Sequence, residues 1–102
     1  MPGDKLPVIW SVQAKDDLFG IWISLARTAS PEVADNQLRD IDRAIAMLEM
    51  RSFAGKSRDE LGAALRAVPI HPNNIFYRPT PSSLQIVRVV DGRRDLDTLF
   101  GD

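Results

Sequence analysis

Three kinds of hydrophobic spacing succeed one another along the chain. Residues 7 to 12, PVIWSV, form a short apolar run rich in strand formers behind a proline, which predicts a first strand. Ser11 then offers an N-cap. Leu18, Ile21, Trp22 and Leu25 recur at the i, i+3, i+4, i+7 spacing of one buried helical face, predicting a helix over about residues 14 to 28. Gly20 sits inside it at a cost of about 1 kcal/mol relative to alanine, which points to close packing there or to nothing. The stretch ASPEV restarts the chain, with Ser30 as N-cap, Pro31 at the first helical position and Glu32 where the helix dipole favours a negative charge. The second helix runs to about Met50, with Ala34, Leu38, Ile41, Ile45 and Leu48 along one side. Asp35, Arg39, Asp40, Asp42 and Arg43 lie largely off that stripe. Two amphipathic helices on so short a link are expected to pack as an antiparallel hairpin.

The pattern then changes. Ser57 and Glu60 match the S-x-x-E capping box and Gly62 is placed as a helix stop, so one helical turn is expected between them. After it ALRAVPI, NIFYRPT and LQIVRVV read as strands, separated by HPNN and PSS, clusters short enough to make hairpins. Pro69 cannot donate a ladder hydrogen bond, which places its strand at an edge or at a bulge. The expected fold class is α+β: a β-α-α-β-β-β order with the helical hairpin packed on one face of a mainly antiparallel sheet. In strict alternation Leu84, Ile86, Arg88 and Val90 face one way and Gln85, Val87 and Val89 the other, while Ile75 and Tyr77 oppose Phe76. Both faces are partly apolar, and one helical hairpin covers only one. The second face is therefore expected to expose apolar residues and arginines, as partner sites do. The alternative is that helix ends or the C-terminal segment fold over it. Leu96, Leu99 and Phe100 have the i, i+3, i+4 spacing of a short apolar face; that segment either docks on the domain or presents Arg93 and Arg94 to a partner.

Composition narrows the function. A chain of 102 residues with 44% hydrophobic content is read as one domain over residues 1–102 with one core. The absence of cysteine excludes disulfides and thiolate metal sites, and a single histidine, His71, argues against a histidine zinc site. There is no signal-peptide pattern and no apolar run near the roughly 20 residues that cross a bilayer, so a soluble cytoplasmic protein is expected. No phosphate-binding glycine loop, metal-ligand cluster or nucleophile with a base appears, so no catalytic residue, metal or cofactor is assigned. Ser82 or Ser83 with His71 has no orienting acid nearby in sequence, and Trp10 and Trp22 read as core aromatics.

Charge is uneven. Residues 1 to 50 hold 5 Lys/Arg against 8 Asp/Glu, whereas residues 51 to 94 hold 8 against 3, and seven of those eight are arginine. A segment of +5 suggests an anionic partner, nucleic acid or an acidic protein segment. Arg66, Arg78 and Arg88 fall on strands that antiparallel pairing brings together, and arginine suits bidentate recognition of carboxylate or phosphate. The candidate contact residues are Arg66, Tyr77, Arg78, Arg88, Arg93, Arg94, Leu96, Leu99 and Phe100.

The order strand, two helices, three strands resembles the RelE/ParE superfamily of toxin–antitoxin toxins, from Val8 to about Phe100. SRDELGAALR (Ser57 to Arg66), IFYRP (Ile75 to Pro79) and IVRVVDGRRDL (Ile86 to Leu96) closely resemble the ParE branch. Asp91 departs from that branch, which often has histidine there, so no imidazole role is carried over. The resemblance implies a toxin neutralised by a ParD-like antitoxin through an acidic amphipathic segment, with DNA gyrase as target, no catalytic reaction and no direct sequence-specific DNA binding. The alternative is the RelE branch, which cleaves messenger RNA in the ribosome with basic residues on the sheet and commonly a tyrosine near the C-terminus. Here DGRRDLDTLFGD contains no tyrosine, and Lys56 is the only lysine of the basic half. Arginine stays protonated and is a poor general acid or base, so these arginines read as protein-contact groups.

Overall fold

The computed structural model describes residues 6–101. The chain runs β1 (Val8–Trp10), α1 (Val12–Thr28), α2 (Pro31–Met50), β2 (Lys56–Ser57), β3 (Arg66–Ile70), β4 (Asn73–Pro79), β5 (Leu84–Asp91) and α3 (Leu96–Phe100). The five strands form one sheet in the order β1-β5-β4-β3-β2, antiparallel except where β1 pairs parallel with β5. The α+β class and the helix–helix–three-strand core agree with the sequence pattern; β2 and α3 are additions to it.

Both helix starts are where the capping residues put them. The Ser30 hydroxyl accepts from the Val33 N–H at 3.1 Å ahead of Pro31, and the Ser11 hydroxyl accepts from the Ala14 N–H at 2.9 Å. Ser11 also donates to the Val87 carbonyl at 2.7 Å, so one side chain both starts α1 and fastens it to β5. The first core lies between the hairpin and the sheet: Ala14, Ile41, Ala44, Ile45 and Leu48 meet Ile75, Tyr77, Leu84, Ile86 and Val89. Trp10 borders it, whereas Trp22 is half-buried outside it and its indole N–H donates to Asp35 at 2.8 Å, linking α1 to α2. Gly20 has no atom within 4 Å of where a Cβ would stand, so close packing is not its reason.

Three expectations fail, two of them for a backbone reason. The capping box at Ser57 does not start a helix: Ser57 pairs with Arg66 in a two-residue strand and the Arg58 N–H donates to the Leu65 carbonyl, so the backbone that would have turned is committed to the sheet. Strict alternation in β5 also fails. Phe76 pairs with Arg88 but Tyr77 pairs with Ile86, leaving Val87 as the extra residue of a β-bulge. The bulge inverts the side-chain parity, so Val89 joins Leu84 and Ile86 in the first core while Val90 packs on the opposite face. That opposite face is not open. Leu61 from the loop after β2 and Leu96, Leu99 and Phe100 from α3 cover Leu65, Ala67, Phe76 and Val90, and Phe76 has no exposed surface. Pro69 pairs with Asn74 of β4 but lies beyond the two residues that β2 covers, so the other side of β3 is open there, as a strand proline requires.

Candidate functional site

The strand arginines do not form one cluster; each is tied to a different part of the fold. Arg66 donates from Nε to the Gly55 carbonyl at 2.9 Å and from Nη2 to the Phe53 carbonyl at 3.1 Å, with its guanidinium 5.3 Å from the Phe53 ring centre. It thereby closes the turn between α2 and β2. Arg78 donates from Nε to the Ala63 carbonyl at 2.8 Å and holds the loop from Arg58 to Leu65 against the sheet. Arg88 makes a bidentate pair with Asp17 of α1 at 2.8 and 2.9 Å, and Asp17 also accepts from the Val89 N–H at 2.9 Å. Both side chains are mostly buried, 19% and 12% exposed, which marks a structural ion pair rather than a free cation. The Asp17 carboxylate holds the Arg88 guanidinium above the ordinary arginine value.

Tyr77 is also internal. Its ring is fully buried and its hydroxyl accepts from the Gly55 N–H at 2.8 Å. A Cβ on Gly55 would stand 2.5 Å from that hydroxyl and 2.9 Å from the Ala67 carbonyl oxygen, so the close approach requires glycine. Nothing local in the sequence distinguishes Gly55 from an ordinary turn glycine.

On the second face the side chains at the surface are Arg58, Arg78 and α3. The Arg58 guanidinium lies 6.0 Å from the Phe76 ring centre and pairs with Glu60 at 2.7 Å; Phe100 packs against the same ring, tilted by 57° at 4.8 Å. The Arg58 hydrogen bond holds the Glu60 carboxyl below its ordinary value. Asp95 caps α3, accepting from the Asp97 and Thr98 N–H groups, and the Thr98 hydrogen bonds lower its carboxyl below the usual range. Arg93 is 90% exposed and pairs with Asp91 at 3.0 Å, which holds the Asp91 carboxyl down at about 2. Arg94 has no ion pair among the described residues and lines a cleft between α1 and the end of β5. Of the candidate contact residues, then, Arg93 and Arg94 are available at the surface, Leu96, Leu99 and Phe100 serve as the apolar anchor of α3, and Arg66, Tyr77, Arg78 and Arg88 hold the fold.

Sequence reading misses the exposed apolar surface of the helices. Val12 and Phe19 on α1 are 72% and 70% exposed, and Met50 and Phe53 at the end of α2 and beyond are 57% and 69% exposed. It also misses Asp17 as the partner of Arg88, which lies 71 residues away and leaves no local signal. Among the described residues no group of three or more histidine, aspartate or glutamate side chains is placed to hold a metal, and no helix is long and apolar enough to cross a membrane.

Comparison with known proteins places this architecture. Residues 8–96 match the family described as ParE toxin of type II toxin-antitoxin system, parDE, a span that contains all three stretches carrying the sequence resemblance. Toxin ParE3 of Caulobacter vibrioides is 27% identical over 94 residues, covering 92% of this chain and 94% of that protein. Among solved structures, a chain of the chromosomal ParDE TA system from P. aeruginosa superposes with a TM-score of 0.74 at 21% identity, covering 86% of this chain and 97% of its own. The YoeB/ParE toxin from Agrobacterium tumefaciens superposes with a TM-score of 0.61 at 17% identity, covering 84% and 98%. With the family pattern spanning the sheet, the hairpin and the strand arginines together, this chain belongs to the ParE family of type II toxin–antitoxin toxins.

Proposed function

We propose that this protein is a cytoplasmic toxin that inhibits DNA gyrase by binding rather than by catalysis, and that a ParD-like antitoxin neutralises it. The observation that carries this reading is the family match over residues 8–96. The placement of the titratable groups supports it. The chain's one tyrosine, Tyr77, is sealed in the first core, and the second face offers arginines, whose guanidinium group is a poor general acid or base. General acid–base catalysis of phosphodiester cleavage uses a group that gives or takes a proton, and His71, the one histidine, stands in the exposed turn between β3 and β4. The antitoxin contact is read from the +5 charge of residues 51 to 94, which favours an acidic amphipathic segment. Purified protein titrated into a gyrase supercoiling reaction should abolish supercoiling and accumulate cleaved DNA, and added antitoxin should restore it. Full supercoiling at a large molar excess of the toxin over gyrase would refute gyrase as the target.

A further inference from the structure

Exposed apolar side chains gather where α2 ends. Met47, Met50 and Phe53 are 37%, 57% and 69% exposed and fall within seven residues of one another. Met47 and Met50 stand three residues apart, on one side of the last turns of α2. Met50 and Phe53 line a recess of about 400 Å³ together with Arg51, Ser52 and Ala54. Single apolar residues at a surface are ordinary, but a group of them at one helix end marks a contact surface, and methionine adapts its shape to what it meets.

The charges around this patch have one sign. From Arg51 to Arg58 the chain carries Arg51, Lys56 and Arg58 and no carboxylate. Arg66 reaches the same turn from β3, with its guanidinium 5.3 Å from the Phe53 ring centre and its Nε and Nη2 donating to the Gly55 and Phe53 carbonyls. Those two bonds engage only part of its five N–H groups and fix the plane of the fork, so the remaining donors are held ready for a carboxylate. Among the described residues neither Arg51 nor Arg66 has an ion pair. An apolar patch bordered by unpaired cations is the complement of an amphipathic segment whose apolar residues are flanked by carboxylates. A second copy of this chain fits poorly, because a two-fold contact here would bring the same cations together.

We propose that the end of α2 and the turn after it form a docking site for the antitoxin: apolar side chains of its acidic segment seat on Met50 and Phe53, and a carboxylate beside them pairs with Arg66 and Arg51. This rests on the reading of the protein as an antitoxin-neutralised toxin and gives that contact a place. The test is calorimetric titration of the purified toxin with its full-length co-expressed antitoxin, alongside thermal unfolding of each toxin variant. Met50, Arg51, Phe53 and the comparison residue Phe19 are all exposed, so substitutions there should leave the melting temperature near that of the wild type. Met50→Glu should weaken binding about thirtyfold, and Phe53→Ala about tenfold. Arg51→Glu should weaken it about tenfold and flatten its salt dependence. Phe19→Ala, which removes an equally exposed ring on α1, should change affinity less than threefold. Folded Phe53→Ala or Met50→Glu protein that binds within threefold of wild type overturns the docking site, as does an equal loss from Phe19→Ala. Unchanged binding by Arg51→Glu overturns the charge pairing. Variants that keep antitoxin binding but lose inhibition of supercoiling would assign the patch to gyrase and overturn the proposal. Wild-type protein that does not bind the antitoxin at all overturns the underlying reading instead, which separates the two failures.

Discussion

The two faces of the sheet are closed by very different means. On one, helices of 17 and 20 residues lay a continuous apolar stripe over Ile75, Tyr77, Leu84, Ile86 and Val89. On the other, an irregular loop and a five-residue helix cover Phe76 with half-buried side chains. A helix of that length has no stability of its own in water, so α3 is held by what it covers. The comparison teaches where identity and adjustability reside: the first face fixes the fold, and α3 on the second is expected to open without unfolding the rest.

Substitutions on each face put that difference in numbers. Leu48→Ala removes a fully buried side chain from the first core and should lower the unfolding free energy by about 2 to 5 kcal/mol in urea denaturation. Asp17 ties α1 to β5 beside that core. Asp17→Ala leaves Arg88 buried without its partner and frees the Val89 N–H, so a loss of about 3 kcal/mol is expected in the same measurement.

Smaller losses are expected on the second face. Phe100→Ala removes a half-buried ring, and about 1 to 2 kcal/mol is expected, with loss confined to the α3 amides in hydrogen exchange. A loss equal to that of Leu48→Ala would mean that α3 is part of the global fold. In the loop of the same face Ala64 has a positive φ of 61°, a conformation that costs a residue with a Cβ. Ala64→Gly should therefore stabilise the protein in urea denaturation by less than about 1 kcal/mol, the gain being reduced by the added freedom of the unfolded chain.

The smallest effect concerns pH. The side-chain hydrogen bond from Arg93 holds the Asp91 carboxyl at about 2, below its ordinary 3.8. A depressed carboxyl contributes stability that is present above its unfolded value and lost as pH falls through its folded value, so the loss falls between about 4 and 2. Asp91→Asn should flatten the acid limb of the stability curve in that window. An unchanged limb would show that the exposed pair contributes nothing.

Much of the first face is legible in the sequence because its signals are local. Ser30 and Pro31 fix a helix start, and Ala34, Ile41, Ile45 and Leu48 mark a face by periodicity alone. The second face misleads where backbone pairing overrides local cues. Ser57 looks like a helix cap yet joins a strand, and the bulge at Val87 sends Val89 and Val90 to the faces opposite those that alternation assigns. The arginine positions are visible in the sequence but their partners are not. Gly55, Phe53 and Ala63 offer carbonyls, which any residue has, and Asp17 is one acid among several on the helices. Side-chain type announces chemistry, and only the fold assigns it to structure or to surface.

The most direct measurement of the functional reading concerns the second face, where Arg58 and Arg78 lie at the surface of the sheet. Programmed ribosomes would be incubated with the purified protein and the message ends mapped by primer extension. Intact message is expected, because a guanidinium is a poor general acid or base and Tyr77 is buried beneath the helices. Site-specific cleavage in the ribosomal A site would contradict the binding-only mechanism and make this surface a catalytic one.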